Sequence, residues 1–304
     1  MSQRKNEDRI GSPNLDSNVP PTPETMGVPQ MPPQMADNPA LQANPLTFVA
    51  PTEFVELPSG GRFYEEGHPL HGQEVIEVRH MTAKEEDILT SQSLLKKGVA
   101  LDRFLQSLIV DKRIRTDDLI LGDKNAVLVN ARVNGYGAEY DTTVSCPSCQ
   151  AQTRFQFNLE DQQVQTGEEH LEELQSEGVS VNENGTVNIT LPTTGWKFEC
   201  RPMTGRDERA LTKAVEARRK RKLPEDMLSQ QISLFTVAIS GVTDRGQIQQ
   251  AIKSLPARDS RHLRQTYQKL MPNLDMTQMF ECGECGHVGD MEVPFTTDFF
   301  WPKQ

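Results

Sequence analysis

The sequence predicts an α+β fold of two related α-helical/β copies, joined by a small cysteine-bearing β module and preceded by a disordered arm. Three observations predict it. Two CxxC pairs, Cys146/Cys149 and Cys282/Cys285, lie 136 residues apart position for position. A helix-start block recurs, RHMTAKEEDILT from Arg79 and RPMTGRDERALT from Arg201. Nearly half of the 20 prolines fall within the first 50 residues.

Residues 1–47 interleave proline with Gln, Asn, Ser and Met. Such a segment buries too little apolar surface to offset chain entropy, so a disordered arm is expected, either inert or ordering on a partner. It dilutes the hydrophobic fraction of the 304-residue chain to 36%. The first residues are polar and no run of 18 apolar residues follows, so neither a signal peptide nor a membrane span is expected.

The first copy is placed at 48–160. PTEFVELPSGGRFY alternates apolar and polar residues up to a Ser-Gly-Gly turn, and a strand is expected at Glu74–Arg79. Thr82 and Glu85 have capping-box spacing, which starts a helix at Ala83. Leu101, Phe104, Leu105, Leu108 and Ile109 share one helical face, which predicts a helix over Asp102–Asp111. A third helix is expected after Asp123 as N-cap. Strands near Tyr140–Val144 and Thr153–Phe157 flank the first CxxC.

Residues 161–185 are acidic and read as a linker with one short helix around His170–Gln175. The second copy, 186–304, repeats the first. Arg79, Met81, Thr82, Glu86, Leu89 and Thr90 match Arg201, Met203, Thr204, Glu208, Leu211 and Thr212 at an offset of 122. Leu119, Asp123 and both cysteines of the first pair find their matches 136 residues on. An internal duplication with about 14 extra residues in the helical part of the second copy explains both offsets. Helices are expected near 205–221, 225–239 and 258–270, the central one with Leu228, Ile232, Phe235 and Ile239 as its stripe.

Zinc takes four soft donors in a tetrahedron, with Zn–S distances of about 2.3 Å. Cys146, Cys149, Cys282 and Cys285 supply such a set from two hairpin turns, a zinc-ribbon-like arrangement in which each copy gives half the site. Pro147, Gly283 and Gly286 suit the turns. One structural Zn2+ per chain is expected, with no open position for catalysis. A thioredoxin-like redox pair needs a helix after its CxxC, and no helical pattern follows either pair. A zinc site shared between two chains stays open. His287 and Cys200 are spare donors, read as a loop residue and a small core residue.

No P-loop, GxSxG elbow or HExxH motif occurs, so no catalytic residue and no small-molecule substrate is assigned. His68 and His71 read as part of a turn. Arg218, Arg219, Lys220, Arg221 and Lys222 end a predicted helix before Leu223-Pro224, where cations meet the helix dipole. They are the candidate contact for an acidic partner. With 43 Asp+Glu against 32 Lys+Arg, nucleic acid is not the expected partner. Phe295, Phe299, Phe300 and Trp301 are expected to tuck against the body or to dock on a neighbour.

The blocks LPSGGRFYEEGHPLHGQEVIEVRHMTAKEEDILT, LLKKGVALDRFLQSLIVDKR and LILGDKNAVLVNARVNGYGAEYDTTVSCPSC, with the final FFWP, resemble baseplate proteins of T4-like contractile-tailed phages, in particular the hub-subunit family. The resemblance covers roughly 48–304 and does not supply the cysteine assignment. It implies a hub component or a hub assembly factor, with other tail proteins as partners. It also implies assembly in the bacterial host cytoplasm and a place in the virion tail. The alternative function is a zinc-ribbon adaptor that binds nucleic acid through residues 218–222.

Overall fold

The structure, a computed structural model, describes residues 49–182, 184–222, 226–294 and 299–300. The expected arm, Phe295, Trp301 and the Leu223-Pro224 stop lie outside these residues.

Strand β1 (Thr52–Glu56) pairs antiparallel with β2 (Val75–Arg79), Val55 opposite Ile76. Alternation turns Val55, Ile76 and Val78 inward and leaves Phe54 on the outer face. Helix α1 (Ala83–Thr90) starts where its capping box predicts. Glu85 closes that box and also receives Arg79, Nη1 to Oε2 at 3.1 Å and Nη2 to Oε1 at 2.5 Å. Helix α2 (Gln92–Lys96), unforeseen, leads to α3 (Ala100–Leu108), whose Phe104, Leu105 and Leu108 are buried. Helix α3 ends before Asp111, since Ile109 is extended and bridges to Val78 of β2.

Helix α4 (Leu121–Tyr136) corrects the reading of Asp123 as an N-cap. Ile120 holds that position and Asp123 is the third helical residue. Its carboxylate is used across the chain instead. It accepts from Ser59 N at 2.9 Å, Ser59 Oγ at 2.6 Å and Tyr64 Oη at 2.7 Å. The chain then forms the hairpin of β3 (Glu139–Ser145) and β4 (Gln152–Asn158).

The acidic stretch holds β5 (Gln163–Gln165), α5 (Leu171–Ser176) and β6 (Val179–Val181). Strand β6 begins a four-stranded antiparallel sheet, continued by β7 (Val187–Thr190) and β8 (Lys197–Cys200). Helix α6 (Gly205–Lys220) opens on a second capping box, Thr204 with Asp207. Arg201 donates to Asp207 at 2.7 and 2.8 Å, as Arg79 does to Glu85. Helix α7 (Met227–Phe235) ends earlier than expected, because residues Thr236–Ile239 form β9 on the edge of β8. Thr-Val-Ala-Ile is a β-rich run, and pairing overrides its helical spacing. Ile232 and Phe235 are buried from the helix, Ile239 from the strand, and Leu228 is exposed. Helix α8 (Arg245–Lys253), also unforeseen, is capped by Asp244, which accepts from Gln247 N at 2.9 Å.

Helix α9 (Ala257–Leu270) carries Asp259 in its first turn. That carboxylate accepts from Thr193 N and Thr194 N, each at 2.9 Å, and from Thr194 Oγ1 at 2.8 Å. Strand β10 (Asn273–Asp275) returns to pair with β5, and β11 (Thr277–Glu281) with β12 (Val288–Glu292) makes the last hairpin.

Two apolar cores result. One gathers Leu174, Val187, Ile189, Phe198, Phe235 and Leu263 with their neighbours between residues 174 and 271. The other gathers residues of β1 through β4 and, from the far end of the chain, Leu274, Phe280, Val293, Phe299 and Phe300. Phe280 meets Phe155 edge-on at 5.3 Å and Phe300 meets Phe104 at 5.1 Å. Arg132 Nε donates to Phe299 O at 2.7 Å, while its Nη2 donates to Glu139 O at 2.9 Å. The expected tucking of Phe299 and Phe300 is thus observed.

Where α4 and α6 start side by side, Leu121 N donates to Met203 O at 3.0 Å and Gly205 N to Leu119 O at 2.9 Å. A Cβ on Gly205 would stand 2.6 Å from Thr116 O, so only glycine admits this approach. The buried Lys124 ammonium lies 3.0 Å from Asp102 and 2.6 Å from Glu208. Arg209 donates to Asp102 at 2.7 Å and also pairs with Asp117. Burial pulls the Lys124 ammonium down; the Glu208 and Asp102 carboxylates outweigh it and raise its pKa.

Candidate metal centre

Both CxxC segments are tips of antiparallel hairpins. Ser145 faces Gln152 below the first tip, and Glu281 faces Val288 below the second. The tips have the same internal bonds. Cys146 N donates to Ala151 O and Gln150 N to Cys146 O; Cys282 N donates to His287 O and Gly286 N to Cys282 O, all at 2.9 Å. Each tip turns through a residue of positive φ, Gln150 at 61° and Gly286 at 68°. Gly283, expected to serve its turn, does not have positive φ, and a Cβ there would meet nothing. The residue that matches Gly286 is Gln150, which the sequence gave no reason to single out.

The four sulfurs converge. All Sγ atoms of Cys146, Cys149, Cys282 and Cys285 lie within 4.8 Å of one another. Two close approaches run between hairpins, Cys146 to Cys285 and Cys149 to Cys282, each 3.8 Å. Thiolates about 2.3 Å from a common tetrahedral ion stand about 3.8 Å apart, whereas a disulfide needs about 2.05 Å. The spacing and the all-thiol donor set therefore fit one thiophilic ion such as zinc. Cys146 and Cys282 are buried under the hairpins, and Cys149 and Cys285 are exposed. Among the described residues no other group of three or more such side chains converges in this way.

The electrostatics of the four cysteines are those of thiols that cannot all ionise together. The Cys282 thiol is drawn down to about 6, chiefly by backbone donors from Cys285 and Glu284. At Cys149 the backbone donor of Ala151 pulls down, but hydrogen bonds to Cys285 and the other sulfurs and burial outweigh it, and its pKa rises to about 12. A divalent cation at the centre would replace that mutual repulsion by attraction.

The other candidates lie apart from this cluster. Cys200 is fully buried in β8, and burial pushes its thiol up. His287 is half-buried and outside the converging group. His68 stacks on Tyr64 at 4.6 Å, and His71 Nδ1 lies 2.6 Å from Tyr64 O, within one turn. Arg218 at the end of α6 pairs with Asp226, while Arg219, Lys220, Arg221 and Lys222 are exposed. Among the described residues no helix is long and apolar enough to cross a membrane.

No curated protein and no solved structure matches the chain. One family model does: that of the T4 bacteriophage base plate protein, over residues 50–301. The match spans β1 to the last described residues, both hairpins and both cores included, and so the chain belongs to the T4 bacteriophage base plate protein family.

Proposed function

We propose that this protein is a component of the baseplate hub of a contractile phage tail, or a factor that assembles the hub, and acts without catalysis through contacts with other tail proteins. The family match over 50–301 carries the reading. In this reading Cys146, Cys149, Cys282 and Cys285 hold one structural Zn2+ per chain in a zinc-ribbon-like module. Four thiolates fill a tetrahedral zinc, so the ion's work is to tie hairpin to hairpin.

The body is read as two copies of one unit, 48–160 and 186–304, joined through 161–185. Three matched devices support this. Arg79–Glu85–Thr82 corresponds to Arg201–Asp207–Thr204. Asp123 bonded to Ser59 corresponds to Asp259 bonded to Thr193 and Thr194. The two cysteine tips correspond bond for bond at the 136-residue offset. The run Arg218–Lys222 remains the proposed acidic-partner contact, through its four exposed cations.

Deleting the gene from the phage that encodes it should stop baseplate assembly, and mass spectrometry of purified virions then separates the two versions. Presence in particles supports the resident subunit, and absence supports the assembly factor. Complete, infective tails made without the protein overturn both.

A further inference from the structure

Helix α9 divides its charges with unusual sharpness. Its inward side holds Asp259, Leu263, Thr266 and Leu270, all buried, and Asp259 is consumed by Thr193 and Thr194. The outward side carries Arg258, Arg261, Arg264, Gln265, Gln268 and Lys269, with no acidic residue among them. At 3.6 residues per turn and 1.5 Å per residue these six fall within about half the helix circumference and run along about 17 Å. Arg79, Arg201, Arg209 and Arg218 each have a carboxylate partner. Among the described residues, no cation of α9 has one.

The shape beside the helix points the same way. Arg264 lines a cleft of about 340 Å³ with Asn125, Gln231, Gln268, Phe235 and Met271. Its Nε is buried without a hydrogen-bond partner among the described residues. Arg258 and Arg261 line a more open hollow with Thr190 and Pro192. The one carboxylate in that hollow, Glu177, forms no ion pair among the described residues. A stranded guanidinium N–H in a polar cleft is a site that a carboxylate completes.

We propose that the outward face of α9 docks an acidic segment of another tail protein, with Arg264 receiving a carboxylate in the cleft. The proposal rests on the reading that the chain works among tail proteins. Charge favours an acidic peptide over nucleic acid. The chain as a whole carries −11, which repels a long polyanion. The Phe235 and Tyr267 rings that line the cleft are stacked on each other, and the ring beside Arg258 and Arg261 is the half-buried imidazole of His262, a poor platform for bases. Gln265 and Gln268, set between the cations, can instead bond a peptide backbone.

The test uses the full, zinc-loaded chain with a fluorescent Glu/Asp-rich 12-residue peptide and single-stranded DNA of equal charge as probes. The peptide should bind with strong salt dependence. Arg258→Glu with Arg261→Glu, both on exposed positions, should weaken it at least tenfold without loss of zinc or of the folded spectrum. Arg264→Gln should weaken it several-fold, and Arg264→Lys should restore part of the loss. Lys96→Glu with Lys97→Glu, two exposed cations away from α9 and from the 218–222 run, should leave it unchanged. Equal peptide binding by wild type and the α9 variants overturns the proposal, as does DNA binding tighter than the peptide's and lost with the same changes. In the phage, α9 variants that assemble normal tails while the gene deletion does not would refute the docking face and spare the baseplate role. If the deletion has no effect, the underlying reading fails whatever the peptide does.

Discussion

Cys146 Sγ lies 3.8 Å from Cys285 Sγ, a residue 139 positions further along the chain, and the pair Cys149 and Cys282 repeats that distance. Each sulfur thus has a close neighbour on the other hairpin. An ion placed among them would bind no hairpin separately from the other. Purified protein should therefore contain one zinc per chain by elemental analysis. With zinc bound, a thiol reagent should modify none of the five cysteines. A chelator should release four, and Cys200, buried in β8, should react only in denaturant. Four free thiols before chelation would rule the site out.

Replacing Cys146 or Cys282 with serine should loosen both hairpins alike. Loss of a structural metal belongs among the largest single-site effects, about 4 kcal/mol or more. Amide exchange should rise together in β3–β4 and β11–β12. Faster exchange in only the mutated hairpin would count against a shared ion.

Lys124 is buried between carboxylates on α3 and α6. Lys124→Ala leaves Asp102 with Arg209 alone, and should cost on the order of 3 kcal/mol in urea unfolding. Glu208 is half exposed, so Glu208→Gln should cost less than about 1 kcal/mol. Equal costs would show that the lysine is not the centre of this network.

Acid should act on the arginine-paired helix starts. Burial would raise the Glu85 carboxyl, but the donors on Arg79 and Thr82 outweigh it and lower it to about 2. Asp207 is lowered against burial by Arg201 and Thr204 in the same way. A carboxylate depressed in the folded state stabilises fully above its unfolded pKa and loses that contribution as pH falls through the folded one. For Glu85 the window runs from about 4.5 down to about 2. Unfolding midpoints should fall across it, and Glu85→Gln should flatten the fall. An unchanged slope in that variant would exclude this pair as a source.

Phe299 and Phe300 belong to the core that holds Phe104. Removing residues 299–304 takes away two buried phenylalanines and the carbonyl held by Arg132. About 1.5–3 kcal/mol per ring is expected, with new binding of a hydrophobic dye at the exposed Phe104. Stability unchanged by the truncation would show that Phe299 and Phe300 contribute nothing to the core.

Much of this was legible in the residues because the signals are local. Thr82 with Glu85 and Thr204 with Asp207 start helices through bonds three residues long. The CxxC tips read the same way, and their common offset brought them together on paper. Asp123 was misplaced because its partners Ser59 and Tyr64 lie 64 and 59 residues away. Strand β9 was hidden since Phe235 and Ile239 keep helical spacing while only pairing with β8 makes the strand. Helix α8 carried a visible signal, Asp244 three residues before Gln247, obscured by Gly246. The charged face of α9 was also in view, spread over 258–269 at spacings of three to five, whereas the contiguous run at 218–222 drew the eye.

The contacts of the core that holds Phe104 reach across most of the described chain. Arg132 meets Phe299 across 167 positions, and Phe155 packs on Phe280 of the other hairpin. Contacts so far apart in sequence slow folding, because loop closure must be met before they reward it. The core lined by residues 174–271 is more local. It should form first, and the cysteine cluster should close late, together with the long-range core.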